Sequence, residues 1–155
     1  KIYLADAAIA GSVLLKGKGL LEDRTRLGAA VETAFFKHVF SHYYQISVGF
    51  SYWRGKKDYE VDIVAEVGGN LIPFEVKYSE SSVKVESLKG LRMLCDQKQI
   101  SRAYVITRDM ADFEVSTIPT KADSAAGTSV LKIPAPLACY WLSQLEHTNA
   151  AGADG

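Results

Sequence analysis

Glu75 and Lys77 stand two apart in the run LIPFEVKYS, with Asp62 in the preceding run YEVDIV and a Gly68-Gly69 pair between them. Side chains two apart on a β-strand leave the same face, so a strand here groups Glu75 with Lys77 and sends Ile72, Phe74, Val76 and Tyr78 to the other side. A two-residue turn at Gly68-Gly69 pairs residue 67 with 70 and sets Asp62 opposite Glu75; moving the turn on by one residue sets it opposite Lys77. Both registers bring the three groups to one face, and a three-residue loop does not. Two opposed carboxylates repel each other, and a divalent cation relieves the repulsion. Asp62, Glu75 and the backbone carbonyl of Val76 are hard oxygen donors of the kind Mg²⁺ or Mn²⁺ takes, with waters completing the shell. Such an ion lowers the pKa of a bound water and stabilises charge developing on a phosphodiester, while Lys77 can orient that water or offset charge on the phosphate. Glu32, from a separate element, can support the ion directly or through water if its helix packs across the sheet.

These side chains need a scaffold, and the hydrophobic pattern outlines one. Residues 2–4 read as a short strand, followed by a turn of helix at 6–15 and a Gly/Lys connector at 16–19. From 26 to 40, Leu27, Val31, Ala34, Phe35, His38 and Val39 recur at helical spacing, with Glu32 on the shoulder of the stripe. Three strand-like runs follow at 45–53, 59–67 and 71–78, rich in β-branched and aromatic residues. A helix is expected over 83–96, with Val85, Leu88, Leu91, Leu94 and Cys95 on its buried side. Buried strands at 103–107 and 129–133 flank a polar loop, and after Pro134 and Pro136 a closing helix spans 137–145. The Gly-Gly connection implies an antiparallel hairpin and the strand-helix-strand unit at 71–107 a parallel pair. The expected class is therefore α/β, a mixed sheet flanked by helices.

With 155 residues, 48% of them apolar, the chain can bury one sizeable core and is short for two, so a single domain over 1–146 is expected. The small-residue tail at 147–155 has no periodicity and reads as disordered. Eighteen Lys plus Arg balance eighteen Asp plus Glu, which excludes the broadly basic surface that holds nucleic acid non-specifically; any such contact must come from a local patch or a partner. Cys95 and Cys139 lie far apart with no Cys or His at metal-ligand spacing, and read as two buried, reduced thiols. No apolar run reaches the roughly 18 residues that span a bilayer and no signal-peptide arrangement opens the chain. A soluble, cytoplasmic protein is expected, and nothing in the pattern sets an oligomeric state. The chain opens at KIYL without an initiating Met, inside an apolar stretch, as a piece of a longer protein would.

Motif by motif, the sequence resembles the PD-(D/E)XK nuclease superfamily, whose pattern is an Asp, a short spacer, then Asp or Glu, any residue, and Lys. Here the pattern is YEVDIV, VGGN and LIPFEVKYS, with Val61 where the superfamily name has Pro, and the helix Glu in GAAVETAFF corresponds to the acidic residue many members carry ahead of the core. The run from KIYLADAAI through that Glu, a YWR strand, EVDIV and FEVKYS looks like the C-terminal domain, of unassigned function, that follows the ATPase module in many prokaryotic AAA-type ATPases. Over roughly residues 1–107 the resemblance implies a restriction-endonuclease-like αβββαβ core. It also implies a Mg²⁺-dependent nuclease acting on DNA or RNA, with Asp62, Glu75, Lys77 and Glu32 as its site and an ATPase module as the N-terminal part of the full-length chain. The alternative is a catalytically silent module of the same fold that regulates the ATPase or binds a partner, which the neutral net charge favours.

Weaker signals have plainer readings. Arg54, Lys56 and Lys57, after Tyr52 and Trp53, can meet a phosphate backbone and a base, yet a polar hairpin tip above aromatic core anchors accounts for them more simply. Ser79, Ser81 and Ser82 read as caps of the helix at 83–96, Lys84 and Lys89 as its solvated side, and Glu60 as a wet strand end. His38, His42 and His147 have no metal-ligand partners at useful spacing.

Overall fold

A computed structural model describes residues 3, 6–9, 19–44, 46–78, 82–119 and 127–150. The chain divides into two compact units, Lys1–Ser47 with Ala135–Gly155, and Val48–Pro134. The first contains a helical turn at Gly19–Glu22, helix α1 (Arg24–His42) and helix α3 (Ala135–Ala150). Asp23 starts α1 by accepting the N–H groups of Thr25 and Arg26, both at 3.1 Å, which satisfies two of the donors a helix start leaves open. Phe35 and Val39 are its buried positions. A second, aromatic row runs along the same helix and just past its end: Tyr3 stacks on Phe36 at 4.3 Å, Phe36 meets Phe40 at i, i+4 spacing with centroids 6.1 Å apart, and Tyr44, beyond the helix, lies 5.8 Å from Phe40.

Among the described residues, the second unit is a six-stranded mixed sheet with one α-helix. Its strands are β1 (Gly49–Arg54), β2 (Glu60–Val67), β3 (Asn70–Val76), β4 (Arg102–Thr107), β5 (Glu114–Ile118) and β6 (Thr128–Pro134), in the order β1-β2-β3-β4-β6-β5. Helix α2 (Lys89–Lys98) lies between β3 and β4 in sequence, and β3 pairs with β4, and β4 with β6, in parallel. Gly68 and Gly69 take left-handed backbone, φ 56° and 79°, which a two-residue hairpin turn requires and glycine supplies without steric cost. Val67 consequently pairs with Asn70, and the ladder runs back to Ile63 opposite Phe74. Pro73, which has no N–H, sits just ahead of the first β3–β4 pair, Phe74 with Tyr104, where no ladder bond is lost.

Two local features shape the end of β2 that carries Asp62. Ser51 pairs with Val64 but Trp53 with Val61, so β2 uses one residue more than β1 between these pairs. That bulge at Asp62–Ile63 breaks the two-residue alternation, which is why Val61 and Val64, three apart, share one apolar cluster with Leu91, Leu94, Val105 and Val130. Helix α2 backs onto the same place: a Cβ on Gly90 would lie 2.4 Å from the carbonyl oxygen of Glu60. Glycine is needed there for close approach.

Lys132 is buried on β6, donating to the carbonyl of Val83 at 2.9 Å and pairing with Glu114 at 2.6 Å. It fastens β5 and the segment before α2 to the sheet.

Several boundaries differ from the sequence pattern. The helix expected over 83–96 is a 3-10 turn at Val85–Ser87 followed by α2, because Leu88, at φ −81° and ψ 62°, steps out of helical geometry. Ser82 therefore caps nothing, and Ser79 and Ser81 lie outside the described residues. β5 was expected as loop; it is an edge strand with only Ile118 buried, too little apolar signal to stand out. The closing helix runs to Ala150, into residues expected as a disordered tail. A helix already under way gains one backbone hydrogen bond for each residue it adds, with no apolar periodicity required. Most of the segments expected at 2–4, 6–15 and 16–19, and residues 151–155, lie outside the described residues.

Because Gly90 rests on β2, Gly90→Ala should lower stability by about 1–3 kcal/mol. Gly19→Ala, with nothing within 4 Å of the added carbon, should leave it within about 1 kcal/mol. Urea unfolding measures both, and equal midpoints would contradict the tight contact.

Candidate functional site

The ladder between β2 and β3 stops at Ile63 and Phe74, and the next inward-facing peptide group of β3 finds a side chain instead of a strand. The N–H of Val76 donates to Oδ2 of Asp62 at 2.8 Å. Successive groups of a strand alternate between neighbours, and a residue's N–H and C=O leave toward the same one. Lys77 donates its N–H to Ile106 on β4 at 2.8 Å, while Val76 and its carbonyl face the β2 side. Asp62, Glu75 and the Val76 peptide thus converge where the two strands part, in the two-residue-turn register the sequence allowed.

Glu75 is buried, 6% exposed, and Asp62 is 8% exposed. Lys77 reaches Oε1 of Glu75 at 2.8 Å and keeps about a third of its side chain in solvent, 31%. Among the described residues, Oε2 of Glu75 is buried with no hydrogen-bond donor. Burial is the main reason the Glu75 carboxyl is pushed up to about 7; the Asp62 charge adds to the rise, and Lys77 opposes it. An acceptor with no donor, on a carboxylate held beside another carboxylate, is a place where a cation lowers the energy.

The donor set suits a hard divalent ion that keeps most of its waters: two carboxylates and one backbone carbonyl. Among the described residues no group of three or more His, Cys, Asp and Glu side chains gathers to hold a metal. A soft or fully protein-ligated metal does not fit this set.

Glu32 lies on α1 in the other unit, half-buried, and its Oε1 accepts the Tyr3 hydroxyl at 2.7 Å. Glu60 is exposed, as expected of a strand end. Arg54 ion-pairs with Asp58, and Lys57 and Asp58 take left-handed backbone at φ 62° and 56°, a conformation that costs roughly 1 kcal/mol or more for a residue with a Cβ. Lys84 and Lys89 are exposed. Cys95 is buried, its thiol pushed up to about 11 by burial, and Cys139 is half-buried and also raised.

One neighbour of the site was missed in the sequence. Glu75 pairs with Val105 and Val76 with Ile106, so the next step sets Thr107 beside Lys77; Thr107 is fully buried and its hydroxyl has no partner among the described residues. Its signal is a lone hydroxyl closing the apolar run AYVIT, as Lys132 is a lone charge in VLKIP.

The model of a family described as a domain of unknown function (DUF4143) matches residues 27–125, well over half of the chain. No curated protein and no solved structure matches it.

The Glu75 carboxyl sets a pH dependence. With a folded value of about 7 against an ordinary 4.5, the native state holds a proton between these values that the unfolded chain has lost. Its stabilising contribution is full below about 4.5 and is lost as pH rises through about 7. In metal-free buffer, Glu75→Gln should therefore gain stability relative to the parent chain across that window, by at most about 1.4 kcal/mol per pH unit. A difference flat with pH, in denaturant unfolding, would contradict the burial of an ionisable Glu75.

Proposed function

The chain belongs to the DUF4143 family, and from the geometry of its site we propose that it is a metal-dependent phosphodiesterase domain of the PD-(D/E)XK type acting on DNA or RNA. The observation that supports this reading is the convergence of Asp62, the buried and half-unpartnered Glu75 and the Val76 peptide at the parting of β2 and β3, with Lys77 at 2.8 Å from Glu75.

Asp62 and Glu75, with the Val76 carbonyl, would hold Mg²⁺ or Mn²⁺, and the bound ion would supply Lewis acidity toward the phosphate and a lowered pKa for water. The chain's own residues do the rest. The Asp62 carboxylate is oriented by the Val76 N–H, and Lys77 keeps a positive charge beside the phosphate and directs a water toward it. In the hydrolysis the water oxygen bonds to phosphorus as the bond to the leaving sugar oxygen breaks. One water proton ends on that oxygen and the other passes to solvent, leaving a phosphate monoester and a free hydroxyl. The resemblance to domains that follow AAA-type ATPase modules supports placing such a module in the full-length chain.

A second reading, a binding module for that ATPase or another protein, draws support from exposed apolar side chains at one sheet edge. Met110, Phe113 and Val115 are 66%, 43% and 70% exposed, on β5 and the turn before it, more than isolated surface residues require.

Incubation with single- and double-stranded DNA and RNA at millimolar Mg²⁺ or Mn²⁺ separates the two. The nuclease reading predicts metal-dependent cleavage that falls at least ~100-fold in Lys77→Ala with metal binding retained, and that Asp62→Ala loses together with metal binding. Cleavage persisting in both variants would sink it, and a metal-loaded chain that cuts none of these polymers would leave the binding module.

A further inference from the structure

On the β1 side of the second unit, an open groove of about 990 Å³ runs between the β1–β2 turn and the outer side of α2. Trp53, Arg54, Lys56 and Tyr59 line one wall, and Lys89 and Arg92 the other. Four cations thus line the groove, two from each wall, with Asp96 the carboxylate in the lining and Asp58 and Glu60 beside Arg54, in a chain whose charges sum to zero. Lys89 and Arg92 are three apart on a helix and project from one side of it. Arg54 is partnered by Asp58, but both side chains are largely exposed, 60% and 84%. An exposed pair of this kind holds little energy and leaves the remaining guanidinium donors available.

The aromatic floor narrows the ligand class. Trp53 packs against the apolar core with one part of its ring and lines the groove with another. Its indole folds back over the turn so closely that a Cβ on Gly55 would lie 2.3 Å from it. The turn itself is held by the Gly55 N–H to Tyr59 carbonyl bond of 2.7 Å and by left-handed backbone at Lys57 and Asp58. A half-buried indole and phenol between opposed cations give a flat apolar surface with phosphate partners on both sides. Single strands use that combination, because their bases turn outward to stack while the backbone follows the charge. A duplex keeps its bases stacked inside and cannot reach the floor, and an acidic polypeptide uses the cations but has a ring for Trp53 only where its sequence supplies one, whereas every nucleotide of a single strand carries both a phosphate and a base.

We propose that this groove binds a single nucleic-acid strand, with phosphates on Arg54, Lys56, Lys89 and Arg92 and a base stacked on Trp53. Arg54 and Trp53 pair directly with Glu60 and Val61, so the groove ends one residue from Asp62. Binding there needs neither metal nor hydrolysis, and it stands or falls apart from the catalytic reading.

The test is fluorescence anisotropy of a short fluorescein-labelled oligothymidylate titrated with the whole chain in EDTA, which silences any cleavage. Saturable binding is expected, weakening with salt at a log–log slope near −3, about 0.7 per engaged cation. Lys89→Glu with Arg92→Glu should lower affinity at least tenfold and flatten the slope, at an unchanged unfolding midpoint. Lys37→Glu, an exposed charge on α1 in the other unit, should change affinity less than twofold. Absence of binding at low salt, or binding indifferent to the double variant, overturns the proposal. So does a duplex of equal length bound as tightly, or displacement by poly-glutamate as effective as by unlabelled oligonucleotide; the last result would assign the groove to an acidic protein.

Discussion

The N–H of Val76 points at a strand that has already left the ladder, and the carboxylate of Asp62 takes it instead. Much of the second unit follows from that one bond. The bulge at Asp62–Ile63 is what frees Asp62 from regular pairing with β1, and the end of the β2–β3 ladder at Ile63 and Phe74 is what leaves Val76 without a backbone acceptor. A carboxylate is then buried at the parting of two strands, next to a second carboxylate whose desolvation raises its pKa to about 7. Such an arrangement costs stability unless something positive completes it. Lys77 does so in part, through Oε1 of Glu75, and leaves Oε2 unanswered.

The rest of the unit holds this costly corner in place. Helix α2 is pressed onto β2 through the missing side chain of Gly90, at the carbonyl of Glu60 just ahead of Asp62 in the chain. The parallel neighbours β3, β4 and β6 all end on the side where Lys77 and Thr107 lie, the position at which open α/β sheets present their ligand sites. Trp53 and Arg54, which line the basic groove, pair with Val61 and Glu60, the two residues ahead of Asp62 on β2.

Much of this was legible in the residues because it rests on short-range rules. A glycine pair that permits two positive φ values admits a two-residue hairpin turn, and counting back along the two strands brings Asp62 near Glu75 without any knowledge of the remaining fold. What could not be read depends on partners distant in sequence. The bulge exists only because β1 pairs past it. β5 is an edge strand whose alternation buries one side chain, Ile118. The start of α2 is set by the backbone of Leu88 and the contact of Gly90 with Glu60, not by the serines upstream. Lys132 and Thr107 were passed over because each is one polar residue in an apolar run, where the apolar neighbours dominate the reading. Glu32 was legible as a helix residue, but its hydroxyl partner Tyr3 comes from a segment with no periodicity to announce it.

Asp62 and Glu75 are proposed to form a divalent-cation site. Calorimetric titration of Mg²⁺ and Mn²⁺ into the chain at a pH above that of Glu75 ionisation, with Asp62→Ala and Glu75→Ala as controls, tests it most directly. The account predicts a saturable heat in the parent chain that both substitutions abolish. No heat at millimolar ion, or a heat that survives both substitutions, would contradict it.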